Sequence, residues 1–155
     1  AAARALGSSR VVYADTDAGR LEHAVALGAE AVAIEAGDDG APRWPKRLGR
    51  FPITVNGSIE HDALHTAIRS AAANGFCTTV VFPPEPLTPV PILEMYTRGC
   101  TLHTSRVHAR ALIPEVLDLI ASGALDPATV TSAVVGFDDA PDALADPPTK
   151  LILTP

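Results

Sequence analysis

Cysteine is scarce in this chain of 155 residues: only Cys77 and Cys100 occur. They form no C-x-x-C pair and have no partners at zinc-ligand spacing, which argues against a structural zinc site built on them. Cys77 lies in an apolar run and reads as a buried thiol. Long hydrophobic runs are missing too. None reaches the roughly 18 residues a membrane span needs. The opening stretch AAARALGSSR lacks a basic leader and a proper hydrophobic region, so it does not read as a signal peptide. The cytoplasm is therefore the default setting. No basic cluster exceeds RWPKRLGR (43–50), and the formal net charge is −6, which argues against nucleic acid as a partner. That segment reads as a solvated loop. Finally, no G-x-G-x-x-G occurs anywhere.

What is present is apolar material in alternating blocks. Hydrophobic residues make up 47% of the chain, enough for a globular core. AAARAL reads as the tail of a helix capped by Gly7. Residues 10–15 read as a strand, 18–27 as a helix that Asp17 can cap, and 29–36 as a short strand. Residues 37–50 are rich in Gly, Pro and charge and form a loop with room for one helical turn. A strand over 51–58 precedes a helix over 60–73, with Leu64, Ala67, Ile68 and Ala71 on one face. Gly75 opens the strand FCTTVVF, and the proline-stiffened PPEPLTPVP follows. A short helix through Ile92, Met95 and Tyr96 ends at Gly99. TLHTSRVHAR (101–110) alternates like a strand but is too polar for a sheet centre. An amphipathic helix with Leu112, Ile113, Val116, Leu117 and Ile120 on one face comes next. VTSAVVGF and KLILT are the last strands, with a helix near 140–145 between them. Apolar strands alternating with helices imply an α/β fold with a mainly parallel sheet.

The stretch RVVYADTDAGRLEHAVALGA (10–29) is the most informative. Its strand ends in an acid, Asp15, and feeds a helix, which is how a dinucleotide-binding unit holds an adenine ribose. Such an acid lies about 20 residues beyond a glycine-rich phosphate loop, yet only fourteen residues precede Asp15.

Two histidine patterns carry less. HDALH places His61 and His65 at i and i+4 on a helix, close to the zinc-protease signature H-E-x-x-H. An aspartate reaches less far than glutamate towards a metal-bound water, and no third ligand is evident. His103 and His108, five apart on a strand, face opposite sides. Neither pattern predicts a metal site.

Together, RVVYADTDAGRLEHAVALGA, LHTAIRSAAANGFCTTVVF, LDLIASGALDP and FDDAPDALADPPTKLILTP resemble the C-terminal half of zinc-type medium-chain alcohol dehydrogenases, over nearly the whole chain. The loop at 37–50 departs from the family, which has a helix there. The resemblance implies a Rossmann-like, doubly wound, mainly parallel sheet, incomplete because the first, central strand and its glycine loop lie upstream. It implies a truncated NAD-binding domain over 1–108, and a C-terminal helix and strands over 109–155 that return to the catalytic domain.

The resemblance also implies roles. Asp15 matches the acid that accepts hydrogen bonds from the adenosine ribose and disfavours the 2′-phosphate of NADP, with Asp17 adding to that bias; a helix-capping or surface acid is the alternative. Arg20 reaches the ribose or faces solvent. Val55 and Asn56, with Gly57 and Ser58, end a strand where the family's backbone passes the adenosine, or form a plain turn. Val80, Val81 and Phe82 match the strand end that packs on the nicotinamide, as apolar residues of any buried strand would also do. Lys150 matches a basic position on the pyrophosphate, or is a surface charge. No catalytic residue and no metal ligand falls in this chain, because the zinc belongs to the family's N-terminal GroES-like domain.

Two functions follow. The first is the cofactor portion of an NAD-dependent dehydrogenase acting on an alcohol or aldehyde, inactive by itself. The second is a non-catalytic remnant or dimerisation domain. In the family the strand at 101–108 pairs with its copy, so a homodimer is expected through it. Neither nucleic acid nor membrane is an expected partner.

Overall fold

The structure, a computed structural model, describes residues 1–81, 83–107 and 109–155. In chain order the elements are α1 (Ala2–Ala5), β1 (Val12–Asp15), α2 (Ala18–Ala26), β2 (Glu30–Ala33), β3 (Phe51–Asn56), α3 (His61–Ser70), β4 (Ala71–Thr79), α4 (Ile92–Arg98), β5 (Thr101–Thr104), α5 (Ala109–Ala121), β6 (Ala133–Gly136), α6 (Ala140–Ala145) and β7 (Leu151–Thr154). They fall into two units, residues 12–108 and residues 1–11 with 109–155.

Within 12–108 the chain makes β–α–β crossovers, and the paired strands run parallel. β1 pairs with β2, and β3, β4 and β5 form a sheet with β4 in the middle. The local signals behind these elements are plain. Val12 and Tyr13 favour an extended chain. The Asp17 carboxylate accepts the Arg20 N–H at 2.7 Å and starts α2. Gly99, at φ +65°, ends α4, where its N–H bonds the Tyr96 carbonyl and that of Cys100 bonds the Met95 carbonyl.

One face of the three-stranded sheet is covered by α3 and α4. Leu64, Ile68, Ala71, Cys77, Met95 and Cys100 are buried together there, with Ala67, Val90 and Leu102 packed against them. Both cysteines are free and buried, and burial pushes the Cys77 thiol up. Ile53, Val55 and Phe76 remain exposed. In the other unit β6 pairs with β7, and the apolar Leu112, Ile113, Val116 and Leu117 of α5 are exposed. Among the described residues no helix is long and apolar enough to cross a membrane.

The structure sharpens the sequence reading in one place and corrects it in three. First, the sheet, expected to be incomplete without its central strand, stands as separate small parallel sheets. β1 and β3 do not pair with each other; each is bonded along one side only, because no described strand stands between them. Second, α3 stops at Ser70 rather than 73. The Arg98 guanidinium takes the carbonyls of Ile68, Arg69 and Ala71, and Ala71 turns into β4.

Third, residues 37–50 contain no helical turn; their glycines and prolines forbid one. Residues 44–50 run as a strap along α3. Trp44 Nε1 donates to Glu60, Thr66 Oγ1 donates to the Pro45 carbonyl, and the Leu48 N–H donates to Ser70 Oγ at 2.8 Å. Fourth, the polar strand expected over 101–110 is ordered as a strand only over Thr101–Thr104, where β4 provides partners. His108 lies outside the described residues.

Candidate functional site

The site forms at the C-terminal end of β1. Side chains two apart on a strand share a face, so Tyr13 and Asp15 point the same way. Asp15 Oδ1 accepts the N–H groups of Thr16 at 2.8 Å and Asp17 at 3.1 Å. Its Oδ2 accepts the Tyr13 hydroxyl at 2.5 Å. Arg20, one turn into α2, places Nη1 3.7 Å from the same oxygen. That separation makes an ion pair but not a hydrogen bond.

The electrostatics follow from these contacts. Burial opposes the charged form of Asp15, but the Tyr13 hydroxyl, the N–H groups of Asp17 and Thr16 and the Arg20 charge outweigh it. The carboxyl is held below its usual value. Tyr13 moves the other way, pushed up to about 12 by burial first, then by the hydrogen bond to Asp15 and its charge. At neutral pH the pair is therefore a phenol donating to a carboxylate.

The other residues singled out in the sequence are placed as follows. Arg20 joins Asp15, with its side chain 57% exposed and able to swing. Val55 is exposed on β3. Asn56 is buried, and its amide is occupied: Nδ2 donates to the Ser58 carbonyl at 2.9 Å and to Thr79 Oγ1 at 3.1 Å, while Oδ1 accepts the Ser58 N–H at 3.3 Å. It builds the turn that ends β3. The Val80 N–H bonds the Asn56 carbonyl at 3.0 Å and carries the β3–β4 ladder one step further, with its side chain exposed. Phe82 lies outside the described residues. Lys150 is exposed just before β7 in the other unit, where its carbonyl accepts the N–H groups of Ser132 and Ala133.

His61 and His65 both address the proline loop. His65 shares a 2.9 Å hydrogen bond with the Pro89 carbonyl, and His61 Nε2 stands 3.6 Å from the Glu85 carboxylate. Among the described residues no group of three or more His, Cys, Asp or Glu could hold a metal ion. Tyr13 is the site residue that sequence reasoning passes over. Strand alternation, counted back from Asp15, is the signal that finds it.

No family model and no curated protein matches this chain. Solved structures do match its fold. The 2R,3R-butanediol dehydrogenase of Bacillus subtilis superposes with a TM-score of 0.80 at 18% identity, covering 99% of this chain and 46% of that one. A protein of Sinorhizobium meliloti 1021 classed with the zinc-binding dehydrogenases, bound to NADP, gives 0.72 at 22%, covering 99% and 47%. An alcohol dehydrogenase of E. coli CFT073 complexed with NADH gives 0.75 at 20%, covering 98% and 47%. The fold is that of one half of an alcohol dehydrogenase. The chain spans less than half the length of these structures. Its α/β crossovers and its parallel pairings belong to a Rossmann-like fold.

Proposed function

We propose that this chain is the nucleotide-binding portion of an NAD-dependent alcohol dehydrogenase, which moves hydride between nicotinamide and an alcohol or aldehyde carbon. The observation that carries the reading is Asp15: a carboxylate at the end of a parallel strand, fixed by two backbone N–H groups and held ionised. A preorganised acceptor there suits ribose hydroxyls and repels a 2′-phosphate. Solved structures of this fold that hold NADH or NADP support a dinucleotide as the ligand. Asp15, with Arg20 beside it, binds and orients the adenosine end; Val55 borders that end, and Val80 borders the nicotinamide. Zinc, which polarises the alcohol oxygen in such enzymes, is assigned to residues beyond this chain.

Calorimetric titration of the full-length protein with NAD and NADP tests the reading. Binding of NAD that weakens in Asp15→Asn is expected; no binding of either dinucleotide rejects it.

A specific observation also favours a homodimer. β5 pairs only with β4 among the described strands, and its outward side chains Thr101, His103 and Thr104 are polar and exposed. Such an edge is suited to continue its sheet into a second copy about a two-fold axis.

A further inference from the structure

Asp15 does not offer a free carboxylate. Oδ1 already takes two N–H donors, which fills it, and Oδ2 takes the Tyr13 hydroxyl. A carboxylate has about four acceptor positions in all, so one remains, on Oδ2. Two hydroxyls of a ribose need two acceptors. The second is at hand: with its proton committed to Asp15, the Tyr13 oxygen keeps its lone pairs. The two acceptor oxygens stand 2.5 Å apart, close to the spacing of neighbouring hydroxyl oxygens on a furanose ring. Tyr13 is partly open to solvent at 36% exposure, so a ligand can reach it.

We propose that Tyr13 and Asp15 together read a ribose with both hydroxyls free, Asp15 Oδ2 accepting one and Tyr13 Oη the other. Tyr13 is thus a specificity-determining residue for an unphosphorylated adenosine ribose. The two acceptors stand 2.5 Å apart, and a 2′-phosphate would bring acceptors to acceptors. This rests on the reading of Asp15 as the ribose acid.

The test uses the full-length protein, NAD and its two analogues lacking either the 2′- or the 3′-hydroxyl of the adenosine ribose. Tyr13→Phe removes one oxygen and keeps the ring. It should weaken NAD about three- to tenfold, the worth of one hydrogen bond. One deoxy analogue should then bind wild type and Tyr13→Phe equally, because the hydroxyl that Tyr13 meets is already gone. A loss of equal size for NAD and both analogues would mean that Tyr13 only props the carboxylate, and would overturn the proposal. So would an unchanged affinity for all three. Asp15→Asn separates the two levels. If it weakens NAD while Tyr13→Phe does not, Tyr13 alone is misassigned; if neither variant changes NAD, the ribose-acid reading itself fails.

Discussion

Arg20 Nη1 lies 3.7 Å from Asp15 Oδ2, so the site's acid holds a guanidinium in check. The guanidinium is the group that would welcome a 2′-phosphate, and the carboxylate the group that would refuse it. On the proposed reading, selection between NAD and NADP therefore turns on one carboxylate. In the full-length protein Asp15→Ser should lower kcat/KM with NAD and raise it with NADP, each by about 1–3 kcal/mol in barrier. Adding Arg20→Ala should cancel the gain with NADP and leave the loss with NAD. Steady-state kinetics with both cofactors measure this, and an unchanged cofactor ratio in Asp15→Ser would reject Asp15 as the selector.

Tyr13 gives the pair a signature at high pH. Its hydroxyl titrates near 12 in the fold against an ordinary 10. A folded value above the unfolded one favours the fold below about pH 10, and that contribution is lost as pH rises through about 12. Ultraviolet difference titration, in a Tyr96→Phe background so that one phenol is read, should show the high midpoint. Asp15→Asn should bring it down but not fully to 10, since burial remains. A midpoint near 10 with Asp15 intact would contradict the hydrogen bond. Asp15 works in the opposite sense. Held low, it contributes stability above the usual carboxylate range and loses it as pH falls through its folded value.

Local chemistry was legible in the sequence where neighbours a few residues apart decide the structure. Asp17 capping α2, Gly99 ending α4 and the helix at Ala140–Ala145 are all of this kind. Distant partners set what was not legible. The end of α3 depends on Arg98, far along the chain, and the strap at 44–50 takes its path from Glu60, Thr66 and Ser70. Division into small sheets is likewise a matter of which strands meet. The candidate site was half legible: Asp15 by its place after a strand, but not that Tyr13 occupies one of its oxygens.

Arg98 should be a large single contributor to stability. Its guanidinium donates to the carbonyls of Glu94 at 3.1 Å, Arg69 at 3.1 Å, Ala71 at 2.8 Å and Ile68 at 3.3 Å. It adds donors to carbonyls at the end of α3, where Ile68 also takes the Ala71 N–H and Arg69 also takes the Arg50 guanidinium. Arg98→Met should cost about 2–3 kcal/mol, since charged hydrogen bonds go and carbonyls lose partners. Lysine lacks the planar fork and should restore less than half. Urea unfolding of the three proteins decides it; a cost below about 0.5 kcal/mol would show that water replaces the guanidinium.

Gly99 tests the same junction through the backbone. At φ +65° it sits where a side chain is strained, and an added Cβ would stand 2.6 Å from Asn74 Oδ1. Asn74 is itself left-handed at φ 57°. Gly99→Ala should destabilise by about 1–2 kcal/mol, and Gly99→Asn, which tolerates that region better, by less. Thermal unfolding that ranks alanine at or above glycine would refute the strain.

The proposed homodimer through β5 can be tested without touching the core. His103 is exposed, whereas its neighbour Leu102 faces the buried cluster. Across a two-fold axis a charge at 103 meets its own copy or a near neighbour, and like charges facing across strands repel. His103→Glu should therefore shift the full-length protein from dimer to monomer in analytical ultracentrifugation, with unaltered secondary structure. An intact dimer would move the interface away from β5.

The last prediction concerns the 155 residues in isolation. On the proposed reading they carry a ribose acceptor, but the described helix starts after β1 and β3 offer no matching place for the pyrophosphate. A dinucleotide's phosphates sit at a helix N-terminus that follows a strand through a glycine loop. Here α2 begins behind Asp17, whose carboxylate already takes the Arg20 N–H. The start of α3 is flanked by Glu60 and Asp62. Both junctions present negative charge where phosphate would need donors. One or two ribose hydrogen bonds, about 0.5–3 kcal/mol each, leave at most about 2 kcal/mol once the 4 kcal/mol or more that association costs is subtracted. The isolated chain should thus bind NAD more weakly than about 1 mM and show no dehydrogenase activity. Micromolar binding in calorimetry would mean that a phosphate site exists within these residues, and the division of the cofactor between this chain and the rest of the protein would have to be redrawn.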